Sequence, residues 1–149
     1  MTVLRGYSIF AAAAALAASI LLAGVTPSEA RPERTRFRCQ AETETVQLNS
    51  RYESRTHRGQ TRSSFRAQFE GSGEDLVAGA QLTVLVDSVS VGTITLVEEV
   101  PGTAEGQLRL DSRPRGRRLP FPSDFPVLEA GTLVELQLDG TTVVGCELH

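Results

Sequence analysis

The stretch AQLTVLVDSVSVGTITLV, residues 80–97, decides the fold class. Leu82, Val84 and Val86 fall on one side of an extended chain, with Thr83, Leu85 and Asp87 on the other. After Asp87-Ser88 the alternation resumes, with Val91, Thr93, Thr95 and Val97 set against Gly92, Ile94 and Leu96. A period of two in β-branched and apolar residues is the pattern of a strand with a buried face. Asp87-Ser88 supplies the turn of a hairpin, although Ser accepts positive φ less readily than the Gly favoured there. The rest of the chain must close a core against this pair.

The same period recurs outward from it. Phe37-Arg38-Cys39-Gln40-Ala41 predicts a first strand with Cys39 facing inward. Val46, Leu48, Ser50 and Tyr52 then alternate with Gln47, Asn49, Arg51 and Glu53, and past a polar run containing Gly59 come Phe65, Ala67 and Phe69. These two runs predict a hairpin. Paired residues share a face, so even-numbered inner positions facing odd-numbered ones require paired numbers with an odd sum. Short loops leave sums of 115, 117 or a near neighbour, and 117 sets Tyr52 opposite Phe65 and Leu48 opposite Phe69. On the outer face it sets Arg51 opposite Arg66, Arg55 opposite Arg62, and Glu53 opposite Ser64.

Further along, Gly71 to Asp75 is a loop, Val100-Pro101-Gly102-Thr103 a turn, and Gln107 to Asp111 a short strand. Arg113 to Gly131 has no period and carries Pro114, Pro120, Pro122 and Pro126, four of the seven prolines, so it reads as a long loop across a sheet edge or end. The last hairpin has Val134, Leu136 and Leu138 before Asp139-Gly140, and Val144, Cys146 and Leu148 after it. Seven to eight short strands with no helical period predict an all-β fold, a single antiparallel β-sandwich.

Residues 1–30 have the layout of a secretory signal peptide: Arg5 in a short opening segment, an apolar run from Ile9 to Val25, and Ser28-Glu29-Ala30 with small residues at the cleavage positions. The apolar run is close to the length of a minimal membrane span, but the small-residue site favours cleavage near Ala30 over an anchor. Val25 stands where a lipoprotein signal needs Cys. A flexible arm is expected over 31–36 and the sandwich domain over 37–149, with no membrane span in the mature chain and a secreted or periplasmic location. Cys39 and Cys146 are the only cysteines. An even count in an exported chain predicts a disulfide. The fifteen cationic side chains are all Arg, which fits a GC-rich bacterial coding sequence.

Three motifs carry a resemblance: Val-Asp-x-Val-x-Val-Gly-Thr-x-Thr-Leu at 86–96, Phe-Pro-x-x-Phe-Pro at 121–126, and Ala130-Gly131-Thr132. Over roughly its last seventy residues the chain resembles small exported bacterial β-sandwich proteins of no assigned function. Loosely, the whole is similar to immunoglobulin-like or transthyretin-like modules, without the buried Trp of true immunoglobulin domains. The resemblance implies the fold and no activity.

Catalytic chemistry has little to build on. The histidines are His57, at an expected turn, and His149. There is no Gly-x-Ser-x-Gly elbow, and the carboxylate pairs Glu74-Asp75 and Glu98-Glu99 point to opposite faces of an extended chain. No loop has the ligand spacing of a Ca²⁺ site. No catalytic residue, metal or cofactor is expected.

Charge, by contrast, is segregated. Residues 31–66 carry nine Arg against four Glu, and residues 67–112 one Arg against eight acids. Arg51, Arg55, Arg62 and Arg66 on one hairpin face are therefore either the candidate anion-binding residues or a solvated face that pairs with acids elsewhere on the protein and discourages edge aggregation. An anionic glycan or an envelope protein is the expected partner class. Specific nucleic-acid binding is not expected, because stacking aromatics are missing from outward positions. Phe121 and Phe125 either cap the core or offer an apolar contact to a partner. The function expected is an exported, non-enzymatic binding or structural module. The alternative is a small secreted hydrolase whose site would gather polar loop residues around His57.

Overall fold

The structure, a computed structural model, describes residues 33–149. The signal-peptide reading of residues 1–30 lies outside them. Nine strands follow in order: β1 (Glu33–Glu42), β2 (Val46–His57), β3 (Gln60–Gly71), β4 (Gln81–Val86), β5 (Val89–Thr95), β6 (Val97–Val100), β7 (Thr103–Asp111), β8 (Leu133–Leu138) and β9 (Thr141–Glu147). They form two antiparallel sheets, ordered β1-β2-β3-β7-β6 and β5-β4-β8-β9. The expected all-β sandwich is what forms, with one strand more than the longest count predicted.

The alternating residues explain the layers. Leu48, Phe65 and Phe69 from the first sheet meet Leu82, Val84 and Leu136 from the second, all fully buried. Burying each such side chain contributes about 1.5–3 kcal/mol. Three two-residue turns, at Arg58-Gly59, Asp87-Ser88 and Asp139-Gly140, have positive φ at both positions. That turn matches the right-handed twist of the strands it joins, and Asp87-Ser88 adopts it without glycine. Asp87 is held there because its carboxylate accepts from the Leu133 N–H at 3.0 Å and its own N–H donates to the Leu133 carbonyl.

Three details depart from the sequence pattern. First, β1 begins at Glu33, inside the segment read as an arm, because Arg34 and Arg36 continue its outward alternation and pair across to Arg55 and Glu53. Second, β5 is bulged: Val84 faces Gly92 while Leu85 faces Ser90, leaving Val91 as the extra residue. The bulge turns both Val91 and Ile94 into the core. Gly92 has φ of 153° there, and a Cβ would meet the Leu108 side chain at 3.0 Å. Third, the alternation through Val97 is not one strand. The chain leaves the four-stranded sheet at Leu96, and Val97 to Val100 joins the other sheet beside β7. Gly106 makes room for the crossing, since a Cβ on it would press on Ile94 and lie 2.9 Å from the Thr95 carbonyl oxygen.

The sandwich is closed at one corner by the disulfide between Cys39 on β1 and Cys146 on β9, with Cα atoms 5.7 Å apart. Next to it, Arg38 and His149 exchange two backbone hydrogen bonds of 3.0 Å.

Candidate functional site

The outer face of the five-stranded sheet gathers most of the chain's arginines, and the register of its strands orders them. The hairpin β2–β3 pairs with the sum of 117, so Arg51 faces Arg66 and Arg55 faces Arg62. β1 extends both pairs on one side, and β7 extends the Arg51–Arg66 pair on the other. The result is a set of rungs running across the strands. Arg38, Arg51, Arg66 and Arg109 form one rung of four guanidinium groups. One step along the strands in one direction lies Arg36–Glu53–Ser64–Asp111, and beyond that Arg34–Arg55–Arg62. In the other direction lie four amides, Gln40–Asn49–Gln68–Gln107, followed by Glu42–Gln47–Glu70–Glu105.

Two carboxylates hold the basic end together. Glu53 receives Arg34 at 3.0 Å, Arg36 at 3.6 Å, Arg51 at 2.7 Å, and Arg55. Burial pushes its carboxyl up, but the hydrogen bonds from Arg55 and Arg51 and the charge of Arg34 outweigh that and hold it below its ordinary value. Asp111 is fully buried beneath Arg62 and Arg118, which reach it at 3.0 and 2.6 Å. It also accepts from the Arg113 N–H at 2.9 Å. Burial again raises its carboxyl, yet these donors prevail and bring it down to about 2.

The four-arginine rung is differently placed. Among the described residues, Arg38, Arg66 and Arg109 have no carboxylate within ion-pair distance, and only Arg51 shares Glu53. Arg66 and Arg109 instead donate to the side-chain oxygens of Gln68 and Gln107, at 2.7 and 2.9 Å, which keeps both extended along the face. Partial burial, then the neighbouring charges of Arg109 and Arg51, lower the affinity of Arg66 for its proton. All four side chains are exposed. The small Ser64 leaves a shallow depression of about 320 Å³ bordered by Arg51, Glu53, Arg66, Arg109 and Arg118. The acidic rung is crowded in the opposite sense: Glu99, then burial and Glu70, raise the Glu105 carboxyl.

Arg51, Arg55, Arg62 and Arg66 therefore stand on one exposed face, as the register requires. The hairpin gave no sight of Arg38 and Arg109, which complete the rung, or of Asp111 and Arg118. A signal existed in the outward positions of Arg34, Arg36 and Arg38 opposite inward Cys39, and in Arg109 between inward Leu108 and Leu110. Phe121 and Phe125 turn onto the core, half-buried. Phe125 meets Phe65 edge-on at 5.7 Å between centroids and Phe121 at 4.6 Å. Capping, the first of their two readings, is the use the fold makes of them. The apolar surface of their loop is carried by Leu119 and Val127. His57 ends β2 at the Arg58-Gly59 turn, exposed, whereas a wide depression of about 870 Å³ opens at the other end of the sandwich beside Glu74, Leu76 and Asp139. No group of three His, Cys, Asp or Glu side chains suited to a metal occurs among the described residues.

No family model, no curated protein and no solved structure matches the chain.

Proposed function

We propose that this protein is an exported, non-enzymatic binding module of the bacterial envelope or extracellular space. It holds an anionic partner on the outer face of its five-stranded sheet. The observation that carries this reading is the rung Arg38–Arg51–Arg66–Arg109, four exposed guanidiniums side by side with a carboxylate, among the described residues, for only one of them. Like charges set directly opposite destabilise a sheet. A chain that keeps four in line gains from an anion that spans them. Guanidinium forks pair with carboxylate, sulfate or phosphate oxygens through two parallel hydrogen bonds, which suits Arg better than Lys. The Cys39–Cys146 disulfide supports an oxidising compartment.

The test uses heparin as a generic polyanion. The mature chain is expected to be retained on a heparin column at low ionic strength and released by salt, as contacts between exposed charges require. The Arg51→Ser/Arg66→Ser variant is expected to elute with markedly less salt. Equal elution of the two proteins would leave the rung with a purely structural part.

A further inference from the structure

We infer that the anionic partner is an acidic polysaccharide, laid across the strands with its charged groups on Arg38, Arg51, Arg66 and Arg109 and its hydroxyls on the amide rung beside them. This rests on the binding function proposed above and names the class of ligand. The first ground is shape. Strands in a sheet lie about 4.8 Å apart, so the four guanidinium stems repeat at that interval across roughly 15 Å of an open face. Such a surface offers a small anion little enclosure and a linear polymer a continuous track.

The second ground is the neighbouring rung. About 6.8 Å along the strands, two residues on, every one of the four strands presents an amide: Gln40, Asn49, Gln68 and Gln107. An amide both donates and accepts, which is what a sugar hydroxyl needs from a partner. A polyphosphate offers acceptors only and would leave half of that capacity unused. The side chain of Asn49 is exposed and makes no hydrogen bond among the described residues. Gln68 and Gln107 spend their oxygens on Arg66 and Arg109 and keep their N–H groups to donate. A neutral polysaccharide, in turn, would leave the guanidinium rung without a counter-charge. The outward positions of β1, β2, β3 and β7 hold no Phe, Tyr or Trp ring on which a nucleobase could stack, and the one imidazole, His57, stands at the far end of β2 beyond Arg55.

The third ground restricts direction. On one side lie Glu53 and Asp111, both covered by arginines, so that side stays basic. On the other, past the amides, the track is bounded by Glu42, Glu70 and Glu105. A polyanion running along the strands past the amides would have to cross that acidic rung. Running across the strands, it meets only arginines and amides.

The same banding also suits a second copy of the chain. A two-fold axis along the amide rung would set the arginines of one copy over the acids of the other. The experiment must separate these cases. Binding of the mature chain to alginate, dextran sulfate, long-chain polyphosphate and neutral dextran is measured by titration calorimetry at low salt, together with sedimentation of the protein alone. The expected result is binding to alginate or dextran sulfate, the better of the two telling carboxylate from sulfate, and none to dextran. Arg66→Ser should weaken the polysaccharide and any residual polyphosphate binding alike. Asn49→Ala should weaken polysaccharide binding by ~2–10-fold, the worth of one hydrogen bond, and leave polyphosphate binding unchanged. If polyphosphate binds as tightly and Asn49→Ala changes neither, the polysaccharide assignment is overturned while the anion-binding function stands. If no polyanion binds, both fall. If the protein sediments as a dimer that Arg66→Glu dissociates and Arg66→Glu/Glu70→Arg restores, the face belongs to a second copy and the assignment is overturned.

Discussion

Asp111 carries more of the arginine face than its single charge suggests. It is fully buried at the end of β7, yet it lies on the outer side of the sheet, because Arg62 and Arg118 fold over it like a lid. Its carboxyl titrates at about 2 in the fold against 3.8 ordinarily. A carboxylate whose proton affinity is depressed by folding stabilises the fold above its ordinary pKa, and that contribution is lost as pH falls toward the folded value. The window here runs from about pH 4 down to about pH 2. Asp111→Asn should lower stability by about 1–3 kcal/mol at neutral pH, allowing for the half-exposed arginines that screen the pair. It should also flatten the pH dependence within that window. Urea unfolding of both proteins at pH 7, 4 and 2.5 reads this directly; parallel stability curves would contradict it. Glu53 behaves in the same sense, held low by Arg55 and Arg51.

At the scale of elements, the proline-rich loop between β7 and β8 works as a cover. β6 pairs only with the first residues of β7, and the loop takes up the rest of that edge. The Leu119 N–H donates to the Arg109 carbonyl and the Asp111 N–H to the Leu119 carbonyl, both at 2.9 Å. An edge so occupied is closed to pairing with another chain. The loop then drops Phe125 onto Phe65. Phe125→Ala should cost about 2–3 kcal/mol, somewhat below the range for a fully buried ring. An unchanged melting temperature would mean that the ring does not hold the loop down. Where elements are joined by two-residue turns, the sequence is easy to read: parity and a short loop narrow β2 against β3 to a few registers, and Asp139-Gly140 marks the last hairpin. It is hard to read where a local irregularity or a distant partner decides. The bulge at Val91 leaves no mark in an apolar alternation that continues on both sides of it. The passage from β5 to β6 is masked because Val97 prolongs the same pattern in a different sheet. The site divides in the same way. Its two central strands are hairpin neighbours, whereas Arg109 joins the rung through a pairing of β3 with β7 across some forty residues of chain, which no local period encodes.

For the molecule as a whole, the two sheets share a corner fixed covalently. Cys39 lies on the inner face of β1, opposite Ser50, which lies opposite Ala67 on β3. These small side chains leave room where the bridge enters the core. The bond closes a loop of 107 residues, for which chain-entropy reasoning gives about 4–5 kcal/mol. Reduction and alkylation should therefore lower the unfolding midpoint strongly, and intact mass before and after treatment should show both thiols released together. A midpoint unmoved by reduction would mean that the strands alone close the corner. Because Arg38 is the next residue to Cys39, the same bond also steadies the outermost guanidinium of the rung.

That bridge has a mechanical consequence as well. It joins the first strand to the last, so tension applied to the chain outside Cys39 and Cys146 runs through the sulfur–sulfur bond and bypasses the nine-stranded body. Close to 107 residues, on the order of 350 Å of contour length, lie behind it as slack that no pull can draw out while the bond is intact. The domain transmits load as a short rigid link, and the arginines held between the two cysteines, Arg51, Arg66 and Arg109 among them, keep their places under strain.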